Sequence, residues 1–373
     1  MAMIEKIAEC TVYESPGTQL RPLHARMPGV AQVPSGGLVA MYQLSEVIDE
    51  TVAHMFVSRS RDLGETWQFQ GELYDTGRAG VDFEYDESVK PLLLADGTLI
   101  AVGYRFNRPD MNVPIVNADT SGFLWGPNVV SFSRDDGKTW TVSRAIDCSA
   151  PETLEIAGTG LQTRSGDIIA IGGVFKHWDG FNPTGQVGVL IRSKDSGVSW
   201  DGSVRYYVDR ASGTTPYEAR ICEMQTGRLV AIVWAFSHNE KTSYANHIVV
   251  SHDNGYTWSV PMDTGHMAQS SGVMWVRDEL LMTIHCHRTG EDIGLYVRLV
   301  DFADDTWNVV EEELIWRPAK AQANAGDIAS QVGALEFGQP ELLRLNNGDI
   351  LAYHWGKEDG LAKIKAHRLR LHV

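Results

Sequence analysis

The sequence predicts an all-β chain, a six-bladed β-propeller of four-stranded antiparallel blades, and three observations predict it. A Ser, an Asp, a Gly and a Trp recur in one frame four times, as SRDLGETW from Ser60, SRDDGKTW from Ser133, SKDSGVSW from Ser193 and SHDNGYTW from Ser251. The frame's Asp residues, Asp62, Asp135, Asp195 and Asp253, stand 73, 60 and 58 residues apart, a period too long for one hairpin and suited to a four-stranded sheet with its loops. Upstream of each copy an apolar strand, a Gly-containing turn and a second apolar strand follow one another, and two more such hairpins bring the total to six.

Taken in order, the hairpins read GVAQVPSGGLVAMY from Gly29, SVKPLLLADGTLIAVGY from Ser88, TGLQTRSGDIIAIGGVF from Thr159, ARICEMQTGRLVAIVW from Ala219, SGVMWVRDELLMTIH from Ser271 and PELLRLNNGDILAYHW from Pro340. The recurring frame suits a tight turn. Ser and Asp accept hydrogen bonds from N–H groups a residue or two on, Gly supplies a positive φ at little cost, and Trp packs the turn against its own sheet. The fifth blade keeps a decayed copy, DFADDTW at Asp301 to Trp307, in which Trp survives and the turn Gly does not. The linker-like stretch from Arg317 to Gly338 is expected to cross from the fifth blade to the sixth. The sixth ends on AKIKAHRLRLHV, and its missing outer strand is expected from KIAECTVYE, Lys6 to Glu14, which closes the ring and covers an open sheet edge.

Composition narrows the class of partner. With 373 residues, 43% hydrophobic, the chain can bury a large core, and the repeat makes residues 1–373 one domain. A formal net charge of −16 argues against nucleic acid or an anionic membrane, both of which require an extended basic face. No apolar run approaches the roughly 18 residues of a spanning helix, and the first residues lack a signal-peptide core, so a cytoplasmic location is expected. Cys10, Cys148, Cys222 and Cys286 form no CxxC pair, and neither a disulfide framework nor a structural zinc site is expected.

The SxDxGxTW frame resembles the Asp box of the sialidase (neuraminidase) superfamily, and the resemblance covers nearly the whole chain. It implies a six-bladed propeller, a fold that carries glycosidases, lyases and binding proteins alike. It also implies three arginines on a substrate carboxylate, a Tyr paired with a Glu as nucleophile, and an Asp as acid/base. Arg26, in ARMPGV, matches the first arginine. Asp49, with Glu50 as its neighbour and rival, falls in the loop of the acid/base, and Glu218, in YEARICEMQTGRL, matches the Glu at the head of the fourth blade. Other positions depart. Trp234 stands where a second arginine belongs, with Arg220 close by but out of frame; Arg288 and Arg298 are candidates for the third, neither in a matching motif, and Gln339 replaces the tyrosine. An amide cannot act as a phenolic nucleophile.

Strand-end parity adds polar and aromatic groups at the channel mouth: Tyr42, Asp86, Glu87, Tyr104 and Arg105, then Glu155, His177, Trp178 and His238, then His285, Arg288, His354 and Trp355. Such a mixture suits a sugar site. Each also has a structural reading, with tryptophans filling gaps between blades and carboxylates paired to arginines. His285 and His287 alternate onto one strand face without an acidic partner at fixed spacing, so no metal is expected, and no cofactor either. The expectation is a glycosidase on a carboxylate-bearing sugar, with Asp49 and Glu218 catalytic. Arg26, Glu87, Tyr104, Arg105, His177, Trp234, His287, Arg288, Gln339 and His354 are the candidate substrate contacts. The alternatives are a uronate lyase, using His287, His354 or Tyr104 as base with an arginine on the developing charge, and a carbohydrate-binding propeller without turnover.

Overall fold

Apolar alternation bounded by turn residues does fold into strands throughout. The computed structural model describes residues 3–16, 24–45, 52–74, 84–209, 213–290, 292–319 and 335–372. The first strand is β1 (Ile4–Glu14). Blade I follows with β2 (His24–Gln32), β3 (Leu38–Ser45), β4 (His54–Ser60) and β5 (Gln68–Glu72). Blade II comprises β6 (Glu84–Leu93), β7 (Leu99–Arg108), β8 (Asn128–Ser133) and β9 (Arg144–Ala145). In blade III the innermost strand is split into β10 (Leu154–Glu155) and β11 (Leu161–Gln162), both paired to β12 (Ile168–Val174), ahead of β13 (Val187–Ser193) and β14 (Asp201–Val208). Blade IV holds β15 (Thr214–Glu223), β16 (Leu229–Ser237), the short β17 (Thr242–Ser243), β18 (His247–Ser251) and β19 (Met262–Asp263). Blade V is β20 (Ser271–Arg277), β21 (Leu280–His287), β22 (Gly294–Asp301) and β23 (Asn308–Trp316). Blade VI is β24 (Phe337–Arg344), β25 (Ile350–Glu358) and β26 (Leu361–Leu371), with β1 as its outer strand. All six sheets are antiparallel, and the architecture is the predicted propeller. Among the described residues, no helix is long and apolar enough to cross a membrane.

The four Ser-Asp-Gly-Trp copies form one hydrogen-bonded turn. In the first, Ser60 Oγ donates to Asp62 Oδ1 at 2.7 Å and accepts the Gly64 N–H at 2.9 Å, while Asp62 takes the N–H and hydroxyl of Thr66. Leu63 and Gly64 both have positive φ, 55° and 87°, as a type I′ hairpin turn requires. Trp67 then folds back and donates its indole N–H to the Gly64 carbonyl at 3.1 Å. Trp140, Trp200 and Trp258 repeat that last bond. The decayed fifth copy keeps positive φ at Asp304 and Asp305 but is one residue shorter between turn and Trp, and the buried Trp307 indole N–H finds no partner among the described residues.

Blades pack face to face through apolar layers. Between blades III and IV, Ile169, Ile171 and Leu190 meet Ala219, Leu229 and Ala231. Between blades VI and I, Leu351, Tyr353 and Ile364 meet Val30, Leu38 and Ala40. The ring closes as expected, with β1 laddered along β26 from Ile4 opposite Leu371 to Glu14 opposite Lys363.

The innermost strands of blades I, IV and VI are not regular. Each carries a bulge at which two residues face one: Met27 and Pro28 between the pairs Arg26–Gln43 and Gly29–Met41, Glu218 and Ala219 between Tyr217–Trp234 and Arg220–Ile232, and Gln339 and Pro340 between Gly338–Trp355 and Glu341–Tyr353. Met27, Glu218 and Gln339 all adopt positive φ, at 55°, 48° and 43°. Non-glycine residues hold that conformation at a cost of roughly 1–3 kcal/mol each, and such strain concentrates at functional sites. The bulges aim Arg26, Glu218 and Gln339 at the same end of the channel.

Candidate active site at the channel mouth

A cavity of about 90 Å³ opens there. Its polar lining is Arg26, Gln43, Asp86, Glu155, Glu218 and Gln339, and the rest is mainly aromatic and apolar, with Tyr104, Phe106, Ile115, Val116, Phe123, Phe175, Tyr217 and Trp234. Ile115, Val116 and Phe123 come from the long connection between β7 and β8. That connection is tied to the neighbouring one on blade III, where Lys176 O accepts the Phe123 N–H at 2.9 Å and Trp178 O accepts bonds from Asn117 and Thr120.

Two glutamates meet at the split strand of blade III and the bulge of blade IV. Glu155 Oε2 accepts the backbone N–H of Glu218 at 3.0 Å. Burial pushes the Glu155 carboxyl well above the usual range, and the Glu218 carboxylate pushes it the same way. Glu218 has cations close by: Arg288 Nη2 lies 4.0 Å from its Oε2, and Arg220 donates to its backbone carbonyl at 3.0 Å. Gln339 donates its amide N–H to Glu218 Oε1. The third acid, Asp86, receives the Ala53 N–H and Arg108 Nη1, the latter at 3.1 Å; burial nonetheless pushes its carboxyl up. Below the pocket, Lys90 is wholly buried with Nζ donating to Ser88 at 2.8 Å, and burial pushes its pKa down to about 7. Arg26 is the one cationic side chain among the described lining residues.

The structure brings Arg26, Tyr104, Glu218, Trp234 and Gln339 together at this pocket. The other candidates lie elsewhere. Glu87 and Arg105 point to the opposite face of β6 and β7 from Asp86 and Tyr104, and pair with each other at 3.0 Å, with Tyr74 and Ser143 completing the Glu87 carboxylate. His177 is half-buried on the connection after β12, its ring stacked on Phe181 at 6.0 Å. His287 receives a bond from Arg298 at 3.0 Å, and burial pushes its pKa down to about 4. Arg288 is buried behind the pocket, held by Phe337 O and Gln269. His354 is buried in blade VI against His367 at 3.1 Å. Asp49 and Glu50 fall outside the described residues. Strand parity pointed to Asp86 and Glu155 without separating them from their neighbours. The two Met-Pro and Gln-Pro bulges were the unused signal, since a proline inside an innermost strand marks a break in its ladder.

The same architecture recurs among solved structures. A protein of unknown function from Dyadobacter fermentans matches over 100% of both chains with a TM-score of 0.74 at 20% identity. A Hadza microbial sialidase matches 94% of this chain and 66% of its own, with a TM-score of 0.65 at 17% identity. The chain has the sialidase-like six-bladed propeller fold. An α-L-arabinofuranosidase from Fusarium graminearum shares this sialidase-like propeller across 98% of both chains, with a TM-score of 0.65 at 12% identity. No family model and no curated protein matches the sequence.

Proposed function

We propose that this propeller is a retaining glycoside hydrolase acting on a neutral sugar, with Glu155 as acid/base and Glu218 as nucleophile. The observation that carries the reading is the contact of two glutamates in one pocket, with burial and its neighbour pushing the Glu155 carboxyl up while Glu218 lies beside the Arg288 cation. Divergent environments of this kind assign an acid and an anion to a carboxyl pair. Glu218 attacks the anomeric carbon as the bond to the leaving oxygen breaks, and Glu155 gives its proton to that oxygen. Water then attacks the same carbon, Glu155 takes the water's proton, and Glu218 leaves as carboxylate. With Glu218 as the nucleophile, the two displacements retain the anomeric configuration.

Arg26 is the one cation in the described lining, beside the acidic side chains of Asp86, Glu155 and Glu218, and that balance supports a neutral sugar over the expected anionic one. Structural neighbours named as a sialidase and an arabinofuranosidase support the glycosidase class. The test is a panel of 4-nitrophenyl glycosides spanning neutral furanosides and pyranosides, sialosides and glucuronides. Turnover of a neutral member, lowered at least about 10³-fold in both Glu155→Gln and Glu218→Gln, is expected. Turnover confined to sialosides or glucuronides overturns the neutral reading. Asp49→Asn is expected to keep activity within a few-fold; if it is dead while Glu155→Gln is active, the acid is Asp49.

A further inference from the structure

Gln339 stands between two groups that leave its side-chain amide a single orientation. On one side the Trp355 indole N–H, which can only donate, bonds to Gln339 Oε1. On the other, Glu218 Oε1 accepts from Gln339 Nε2. A flip of the amide loses both bonds and sets oxygen against oxygen. All three residues are buried, and both Gln339 and Glu218 sit at positive-φ bulges, on blades VI and IV respectively. The two oxygens of Glu218 therefore have different fates. Oε1 is tied by Gln339, whereas Oε2 has no hydrogen-bond partner among the described residues and faces Arg288 Nη2 at 4.0 Å.

We propose that Gln339, locked by Trp355, is a positioning residue that holds Oε1 of Glu218 and so fixes the rotamer of its carboxylate. This rests on the glycosidase reading for its chemistry, but the relay itself has a readout that needs no substrate. A donor-only indole fixes the amide, the amide fixes the carboxylate rotamer, and reaction begins from a pre-set geometry rather than after a search. A glutamine here thus acts through the nucleophile without touching the reacting carbon.

The test has two arms. With 11 tryptophans in the chain, the indole region of a ¹H–¹⁵N spectrum is sparse, and the Trp355 signal is assigned by its loss in Trp355→Phe. In Glu218→Ala and in Gln339→Ala that signal is expected to move and to exchange faster with solvent, while signals of the distant turn tryptophans Trp140 and Trp200 stay in place. A Trp355 signal unmoved by Glu218→Ala overturns the relay, whatever the activity. In the second arm, Trp355→Phe, which keeps an aromatic ring and loses the donor, is expected to lower kcat about tenfold with KM within twofold on the glycoside that the wild type turns over. A kcat equal to wild type, with the spectral coupling present, leaves a relay without a positioning role and overturns the proposal. Should no glycoside be turned over, the glycosidase reading falls, and the spectral arm alone decides the relay.

Discussion

Glu155 and Glu218 show how two residues of one type in one pocket meet different surroundings. Burial is the larger influence on Glu155 and the Glu218 carboxylate the next, and both raise its pKa. An acid catalyst works only while protonated, so activity persists below the raised Glu155 value and falls as pH climbs through it. As the proposed acid, Glu155 is expected to set the basic limb of the pH–rate profile. Removing the neighbouring charge in Glu218→Ala, with azide supplied as a small replacement nucleophile, is expected to move that limb to lower pH. A limb in the same place would assign it to another group. At this scale the sequence was half readable: Arg26, Tyr104, Glu218, Trp234 and Gln339 reach the pocket, whereas Glu87 and Arg105 miss it by one step of parity. A strand turns alternate residues to opposite faces, and nothing in EYDES states which of Asp86 and Glu87 faces the axis.

The recurring turn is the element the sequence disclosed most fully, because its chemistry is local. Every bond in it joins residues within seven positions, so the frame Ser-x-Asp-x-Gly-x-Thr-Trp is nearly its own hydrogen-bond diagram. Desolvation pushes the Asp62 carboxyl up, but the Thr66 hydroxyl and N–H and the Ser60 hydroxyl together hold it at about 2. Asp135 is held at about 2 in the same way, and Asp195 at about 2, first of all by the Ser199 hydroxyl. Folded values below the unfolded one of about 3.9 mean stabilisation that is present above that pH and lost as pH falls toward 2. Replacing Asp62 by Ala is expected to cost about 1 kcal/mol at neutral pH in urea unfolding, with the deficit relative to wild type shrinking between pH 4 and pH 2. A deficit constant across that range would refute the carboxylate's role. The bulges were harder to foresee, since a bulge is a relation between two strands and only its proline is written locally.

At the scale of the whole molecule, the decisive contact is the one that joins the chain's ends. It was readable because the last blade lacked a strand and the first residues alternated like one. Beyond its ladder with β26, β1 buries Ile4 and Val12, and Glu9 binds Lys365 at 2.7 Å. It also reaches blade V, where Glu311 accepts the Met3 and Ile4 N–H groups and Ile315 O accepts from Lys6. Without β1, a long strand becomes an open edge and the V–VI and VI–I interfaces each lose part of their apolar cover. Because Arg26, Glu218 and Gln339 reach the pocket from blades I, IV and VI, loosening the seam also loosens the pocket. Deletion of residues 1–15 is expected to lower Tm by roughly 10 °C and to promote self-association in size-exclusion chromatography. A synthetic peptide of residues 3–16, added in excess, is expected to restore part of both, since it pairs with the folded form alone and pulls the equilibrium toward it. A truncated chain that melts with the wild type and stays monomeric would show that five closed blades and a three-stranded sixth suffice.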